Sequence, residues 1–538
     1  MILLLNIEKK YNFKVHIYYS FHINRKIFIM KKIIIALSLL FSVFGLQAQK
    51  QVLNDVLNAR TRGTGAIIQE NTVTGYFSFY QLDKKDRKTR NYQLNIYDQN
   101  LAPLSSKKFS SQEDLEALEA SYNGELILIK FFDDKEDNYV FKTYNQNAEL
   151  VASVTTSAKK VYNQYAAFAA KDDDGESQSL TPVEGLGFVH FVVKLRGGGM
   201  SHTYNEITLI PNIKGTKGWT WTTNEKSEDF EWGDVLGSNG KVLLCLVNKR
   251  EKLMSRDIED FVLGIDIATG KKIFEYPLED KKYAVSTLNA ITDANGNFQV
   301  FGLYFDKDAK TSKAASLGLF GFTVDATGKV LERKYQSWAK DVSKFLKVSE
   351  KGKIEDVGYI YFHKFVKTAD NKIFAIGEQY KTNAGGSVAL SLLSGRTTMT
   401  VNVEDMYIFE FNNSFDLKNV SVFDKSRSTE IINGIAGGRV LGMYLNYLGS
   451  YDYSFTQMSK DKSKFSVGFV DYDKTKGDKG WYFGTINYSD NTFKTDKVRF
   501  DTKATWQYVY PGKPGYVMIS EYFRKEKKLE FRMEKLNF

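Results

Sequence analysis

An alternation of apolar and polar residues that recurs in eight places constrains this chain more than any other feature. Successive side chains of a β-strand point to opposite faces of a sheet, so a period of two residues predicts strands. Each copy is followed by a polar loop and a second alternating segment, which is the pattern of a hairpin. The eight copies are residues 75–83, 125–133, 187–195, 241–248, 298–306, 372–380, 464–473 and 515–523. The sequence therefore predicts an all-β chain made of a repeated antiparallel unit.

Short turns follow most of these hairpins, and two of the turns contain the letters ATGK. A connection of four or five residues commonly needs one residue with positive φ, and Gly270 and Gly328 can adopt it without a Cβ clash. Asp325 can accept hydrogen bonds from the backbone of its own turn. The shared letters therefore predict hairpin turns.

Repeats of roughly 50 to 90 residues with three or four antiparallel strands are typical of a β-propeller. We expect seven or eight blades, because the spacing of the copies is uneven. The last unit, residues 505–538, lacks an outer strand, and we expect a strand within residues 64–71 to complete it and close the ring. We also predict a short helical insertion over residues 336–352, where apolar residues recur at helical spacing. A second short helix is predicted over residues 110–121.

The N-terminal segment predicts export. After two lysines, an apolar stretch over residues 33–46 leads to small residues ending at Ala48, which is the pattern of a secretory signal. The stretch is too short to span a bilayer as a helix. Because 29 residues precede Met30, we expect translation to start at Met30; the alternative is an extended leader or a membrane anchor using both apolar runs. The predicted organisation is a leader and signal over residues 1–48 and a single propeller domain over residues 49–538.

Charge and cysteine content narrow the classes of partner. The formal net charge is +10, and residues 1–48 account for six of these charges, which argues against nucleic-acid binding. The lone Cys245 allows no internal disulfide, and no cysteine follows the signal for lipid attachment. We expect a monomer in the periplasm or outside the cell. It would have no transmembrane helix after processing and would be held at the outer membrane only through a partner.

The residues that could carry chemistry are few. Three histidines follow the signal; His190 and His363 fit strand patterns and are interpreted as structural, whereas His202 is expected to be exposed. Motifs for zinc proteases, serine hydrolases and P-loops are missing from the sequence. The acidic run 171–177 lacks the spacing of a calcium loop. We therefore predict no catalytic residue, no metal and no cofactor, and we favour a protein that is not an enzyme.

Tryptophans provide the candidate ligand site. Trp219 and Trp221 lie on one face of a predicted strand, and Trp232 follows soon after. Aromatic rings of this kind can stack on sugars, or they can pack between blades. Together with His202, they form the predicted ligand-binding set.

The two ATGK turns resemble the repeat turn of pyrroloquinoline-quinone-type propellers, Asp-x-x-Thr-Gly-Lys-x-x-Trp. Residues 269–271 match this form, as do Asp325 and residues 327–329. Phe274 and Glu332 stand where that family has its docking tryptophan. The resemblance implies a propeller hairpin and does not imply a quinone cofactor. The overall pattern is similar to exported propeller-like proteins of Gram-negative bacteria.

We therefore expect an exported, non-enzymatic β-propeller that binds a protein or a cell-envelope component across one rim. The alternative is a glycan-binding or glycan-cleaving propeller that uses the Trp219 region and acidic residues of the channel. Carboxylates about 5 to 10 Å apart in the channel would favour glycan cleavage. A quinoprotein dehydrogenase is disfavoured by the missing tryptophans.

Overall fold

The alternating segments form strands throughout the part of the chain that the computed structural model describes. The described residues are 50–59, 63–69, 72–84, 86, 89–111, 115–133, 135–161, 179–197, 202–212, 215–223, 227–251, 258–278, 281–311, 314–354, 358–383, 398–433, 438–473, 479–500 and 503–536. The predicted leader and the acidic run 171–177 lie outside them.

The strands are numbered in chain order. The first seventeen are β1 (Lys50–Leu53), β2 (Thr64–Gln69), β3 (Thr72–Lys84), β4 (Arg90–Asp98), β5 (Pro103–Ser111), β6 (Leu115–Tyr122), β7 (Ile127–Asp133), β8 (Asn138–Tyr144), β9 (Leu150–Ser157), β10 (Leu180–Val183), β11 (Gly187–Leu195), β12 (Thr203–Pro211), β13 (Thr220–Thr222), β14 (Phe230–Ser238), β15 (Val242–Arg250), β16 (Glu259–Asp266) and β17 (Lys272–Pro277).

The second part of the chain continues the series and adds two helical segments. Its strands are β18 (Tyr283–Thr292), β19 (Phe298–Asp306), β20 (Gly318–Val324), β21 (Val330–Ser337), β22 (Tyr359–Lys367), β23 (Ile373–Asn383), β24 (Thr398–Phe411), β25 (Leu417–Phe423), β26 (Ser428–Asn433), β27 (Tyr453–Met458), β28 (Phe465–Asp473), β29 (Gly480–Ser489), β30 (Thr492–Phe500), β31 (Trp506–Pro511), β32 (Tyr516–Phe523) and β33 (Lys528–Lys535). Among the described residues the helical segments are a 3₁₀ turn (Val342–Lys344) and the helix α1 (Gly438–Tyr447).

These strands form eight antiparallel repeats, which we call blades 1 to 8. Blade 1 has the order β2-β3-β4-β5, and blades 2, 5 and 7 repeat this order with β6–β9, β18–β21 and β27–β30. Blades 3 (β10–β13) and 4 (β14–β17) are joined into one sheet by the parallel pair Thr203 and Phe230. Blade 6 has β22–β25, and β26 adds a fifth strand beside β24.

Blade 8 closes the ring. Strands β31, β32 and β33 are completed by β1, where Lys50 lies opposite Arg532 and Leu53 opposite Leu529. The prediction that residues 64–71 supply this strand is wrong, because Thr64–Gln69 is the first strand of blade 1. Residues 50–53 supply the closing strand instead.

The first strands of the blades line the centre of the ring. Neighbouring first strands contact one another from β2 through β22, and again from β27 through β31 back to β2. Between β22 and β27, the rings of His363 and Tyr453 stack with centroids 4.4 Å apart. The predicted fold class, an all-β propeller, is confirmed, with eight blades.

Blades bury both of their faces, which explains why the second strands are apolar almost throughout. In β11, Phe188 and Val192 pack in one cluster with Phe141 of blade 2. The alternate residue Val189 packs in another cluster with Leu243 of blade 4. Outer strands such as β5 and β30 are largely exposed and carry lysines, which protects a sheet edge from pairing with other chains.

The helical predictions were misplaced. Within residues 336–352 the helical segment is the 3₁₀ turn Val342–Lys344; Trp338 and Val342 are buried, but the chain does not wind further. Residues 115–121 of the second predicted helix lie in β6, because burial of its side chains against β7 overrides local helical preference. The helical insertion exists, but it is α1, in blade 6.

Successive antiparallel strands place their connections on alternate faces of the propeller. Connections between the first and second strands, and between the third and fourth, share one face, which we call the turn face. Connections between the second and third strands, and between blades, share the other, the loop face. Both ATGK turns lie on the turn face, where Gly270 and Gly328 have φ of 69° and 91° as predicted. Among the described residues, the structure shows no helix long and apolar enough to cross a membrane.

Candidate functional site at the junction of blades 6 and 7

Of the four residues predicted to bind a ligand, the three tryptophans all pack against the core cluster of blades 3 and 4. Trp219 lies on the turn face, where its indole N–H donates a hydrogen bond to the carbonyl of Ile267 at 2.7 Å. His202 and Trp232 lie at the loop-face ends of β12 and β14. Trp221 lies opposite Ile207 and packs against the core between blades 3 and 4. Ligand binding by these residues stays a prediction, and each of them already has a partner within the fold.

Aromatic rings dock on the turn glycines of the following blade. The ring of Trp219 packs so closely on Gly270 that a Cβ there would lie 2.5 Å from it. Phe274 packs on Gly328 of blade 5 in the same way, also at 2.5 Å. The glycines are therefore required for contact between blades as well as for turn conformation.

The contacts of His202 and Trp232 are local. A ring nitrogen of His202 hydrogen-bonds the backbone carbonyl of Glu228. The guanidinium of Arg250 lies 4.8 Å from the centroid of Trp232, a cation–π contact, and 4.6 Å from that of Phe230. This stack explains why Trp232 is only half-buried at a strand end.

A group that the sequence analysis did not select lies between blades 6 and 7. The ammonium of Lys425, which follows β25, lies 3.0 Å from Glu378 of β23 and 2.5 Å from Asp452, which precedes β27. The imidazole Nε2 of His363 in β22 lies 3.3 Å from the other oxygen of Glu378. The side chains of Glu378 and Lys425 are fully buried. We call these four residues the junction cluster.

The junction cluster also holds the backbone of the next blade. The amide N–H groups of Asp452 and Tyr453 donate hydrogen bonds to the two oxygens of Glu378 at 3.3 and 3.2 Å. The hydroxyl of Ser428 donates to Asp452 at 3.0 Å. One buried carboxylate of blade 6 thus fixes the start of the first strand of blade 7.

A β-bulge directs the histidine into the junction. Phe362 and Lys364 pair with consecutive residues of β23, which leaves His363 as the extra residue. Its ring stacks on Tyr453 with an interplanar angle of 6°, and it meets the edge of Tyr451 at 4.8 Å. The bulge therefore places a titratable ring among buried aromatic side chains.

The electrostatics of the cluster follow from burial opposed by charge pairing. Burial raises the pKa of Asp452 to about 6; Lys425 opposes this shift, and the charge of Glu378 adds to it. Burial alone would also raise the pKa of Glu378, but Lys425 and His363 bring it below the usual value. Burial would lower the pKa of Lys425, and the two carboxylates raise it instead. The cluster can hold and exchange protons, and its buried atoms are not presented to a large substrate.

A surface cleft and the grouping of metal-ligating residue types also bear on possible chemistry. A cleft of about 330 Å³ on the turn face between blades 7 and 8 includes Asp461, whose carboxylate accepts hydrogen bonds from the hydroxyls of Ser459 and Ser463. Within the described ranges, three or more histidine, cysteine or acidic residues never gather in a way that would suit a metal ion.

The sequence carried weak signals of the junction cluster. Glu378 interrupts the otherwise apolar strand 372–380, and a buried acid in such a strand requires a partner. Its partners Lys425 and Asp452 are distant in sequence and lie in polar segments that look like ordinary loops. His363 was interpreted as structural, and the structure places it in the cluster.

A family model and several solved structures are similar to this chain. A model described as a family of unknown function (DUF6770) matches residues 30–537. Comparison with curated proteins gave no match. Prolyl oligopeptidase B from Galerina marginata, bound to a 35mer substrate, is similar with a TM-score of 0.40 and 10% identity, over 88% of this chain and 55% of its own.

Two further solved structures show the range of similarity. A prolyl endopeptidase structure has a TM-score of 0.37 and 11% identity, over 84% of this chain and 54% of its own. The WD40 domain of SCAP from fission yeast has a TM-score of 0.22 and 10% identity, over 90% of this chain and 94% of its own. This chain spans about half the length of the two peptidases.

Proposed function

The chain belongs to a family of unknown function (DUF6770), and from that premise we propose that it is an exported, non-enzymatic β-propeller that binds a protein or a cell-envelope component across its loop face. Export rests on the signal pattern of residues 30–48. It predicts a processed N-terminus at Gln49, which mass spectrometry of the intact exported protein would read directly.

The insertion in blade 6 carries this proposal. It adds β26 and α1 to the regular blade and exposes three large apolar side chains, Ile431 at 58%, Met443 at 42% and Leu448 at 36%. The inner side of the same insertion is well packed, with Leu441 and Leu445 buried. A packed segment that keeps apolar residues exposed is typical of a surface that meets a partner.

Exposed apolar residues elsewhere are distributed differently. Leu104, Leu150, Ile273 and Leu331 each lie near the start of the outer strand of a different blade. Isolated apolar residues on a surface are common and indicate no interface. They therefore provide matched controls for the insertion.

The test compares two double variants of the chain 49–538 in sedimentation with isolated outer-membrane fragments and with the soluble envelope fraction. Ile431→Lys with Met443→Lys is expected to reduce binding about tenfold or more, since two apolar contacts at an interface centre can contribute that much. Leu104→Lys with Leu150→Lys should bind as the wild type does. Equal binding by both variants, with unchanged unfolding transitions, would contradict the proposal.

One observation favours glycan cleavage as a second candidate. The side chain of Asp234 in β14 is exposed within the ring of first strands, and desolvation by the protein atoms around it raises its pKa to about 7, with a contribution from Glu119 of β6. A carboxyl group that keeps its proton near neutral pH and interacts with a second carboxyl group is the arrangement that glycoside hydrolysis uses. Glu119 accepts hydrogen bonds from the Ser179 hydroxyl at 2.6 Å and the Leu180 amide at 2.9 Å, which keeps it oriented.

This second candidate has its own test. Wild-type chain and Asp234→Asn would be incubated with envelope polysaccharides, and release of reducing ends would be measured across pH. Cleavage that falls more than about a hundredfold in Asp234→Asn, with Asp229→Asn unchanged, would support it. Release that is unaffected by Asp234→Asn would exclude a catalytic role for this carboxyl group.

A further inference from the structure

Two carboxylates of the junction cluster share one ammonium at contact distance, and the imidazole of His363 lies beside one of them. Glu378 and Asp452 share the ammonium of Lys425, and the side chains of Glu378 and Lys425 are fully buried. Two carboxylates beside one ammonium repel each other in a place where charge is costly, and a proton on one of them relieves that repulsion.

Further titratable groups surround the cluster. The acids and bases facing the cluster are Asp405 of β24, which accepts the amide N–H of Lys425, and Asp471 of β28, which accepts that of Ser426 and is paired with Lys497 of β30. The aromatic hydroxyl groups nearby belong to Tyr361, Tyr380, Tyr451 and Tyr453. The ammonium of Lys497 lies 3.5 Å from the carboxylate of Asp471 and thus serves a carboxylate outside the cluster.

We propose that the junction cluster is a proton-binding site that tightens the joint between blades 6 and 7 when the surroundings become acidic. Asp452 takes up the proton at a carboxylate oxygen. The neutral carboxyl group still accepts a hydrogen bond from Ser428, and Glu378 and Lys425 remain as a balanced ion pair. Glu378 keeps its hydrogen bonds to the backbone of β27 throughout.

The direction of the effect follows from the folded and unfolded affinities for the proton. The pKa of Asp452 is raised from 3.8 to about 6, so the closed joint binds the proton more tightly than an opened one. Lowering the pH from about 7.5 to about 5 should therefore raise the ratio of closed to open joint about tenfold. Glu378, whose pKa is lowered from 4.5, contributes stability that is lost only at lower pH, below this range.

Hydrogen exchange on the chain 49–538 tests the proposal without reference to any ligand. The reporters are the amide groups of Asp452 and Tyr453, read in peptides that cover the start of β27 and corrected for the intrinsic pH dependence of exchange. Opening should be about tenfold rarer at pH about 5 than at about 7.5 in the wild type. The variant Asp452→Asn has no titratable side chain at position 452, so its opening should be about equally frequent at the two pH values.

Controls make each outcome decisive. Asp325→Asn, in an exposed turn of blade 5, should keep the wild-type ratio. A flat profile in the wild type, or a tenfold ratio that persists in Asp452→Asn, would overturn the proposal. If Asp452→Asn does not fold, infrared spectra of the wild type replace it: the carbonyl stretch of a buried carboxylic acid must grow between the two pH values, and its absence would overturn the proposal.

Discussion

Two very different parts of this molecule are each stabilised by a carboxylate that accepts hydrogen bonds from two backbone N–H groups. In the exposed turn of blade 5, Asp325 accepts the amide N–H groups of Thr327 and Lys329 at 2.9 and 3.0 Å. At the buried junction of blades 6 and 7, Glu378 accepts those of Asp452 and Tyr453 at 3.3 and 3.2 Å. Water surrounds the first carboxylate, whereas the second depends on Lys425 for its charge.

The difference lies in what each carboxylate requires. Hydrogen bonds within its own turn lower the pKa of Asp325, and this group needs no counter-ion. Burial of Glu378 carries a large desolvation cost, which the ammonium of Lys425 and the imidazole of His363 offset. The carboxylate in the turn therefore stabilises only its own turn, whereas the carboxylate at the junction links three segments of the chain.

Removing the buried carboxylate should have the largest effect. Glu378→Ala leaves Lys425 with Asp452 alone and frees two backbone amides, so we expect a loss of about 3 to 5 kcal/mol in the free energy of unfolding in urea. The control is Glu410→Ala, which removes a partly exposed ion pair with Lys372 in the same blade and should cost at most about 1 kcal/mol. Equal losses would show that burial does not distinguish the two.

Filling a turn glycine should have an intermediate effect. Gly270→Ala places a Cβ against the ring of Trp219 at a positive φ, and we expect it to cost about 2 to 3 kcal/mol in the same measurement. Gly185→Ala has a similar φ of 71° but open space around it, so it should cost only about 1 to 2 kcal/mol. Identical costs would mean that the ring contact adds nothing beyond turn strain.

Removing the exposed carboxylate should have the smallest effect. Asp325→Ala is expected to cost less than about 1 kcal/mol near neutral pH. Because the pKa of Asp325 is lowered from 3.8, its contribution is present above that pH and is lost as the pH falls through the folded value. The unfolding curves of Asp325→Ala and wild type should therefore converge in acid, and a gap that persisted there would point to a contact other than the carboxylate.

The sequence predicted those parts of the fold whose cause is local. The ATGK turns were predicted because positive φ at Gly270 and Gly328 is a property of a few adjacent residues. The strands were predicted because alternation is visible within each segment. The two helical predictions failed because residues 115–121 and 336–352 obey contacts with other segments instead of their own spacing.

The junction cluster could not be predicted because its four residues are far apart in the sequence. Residues 363, 378, 425 and 452 come from four separate segments, and only the ring brings them together. The loop-face insertion was missed for a related reason: α1 packs through Leu441 and Leu445 on a surface that exists only after blade 6 has formed. Turns depend on a few adjacent residues, whereas the junction cluster depends on segments that only the fold brings together.

The pairing of β1 with β33 has a consequence for the order of events during synthesis. The four residues of β1 must wait for β33, which lies at the other end of the described chain and is made much later. Until β33 is made, β1 keeps an unpaired edge and the ring is not closed. Such a long sequence separation makes the final step slow, because the chain must bring its two distant ends together. The ring of the nascent protein thus stays open until β33 has left the ribosome.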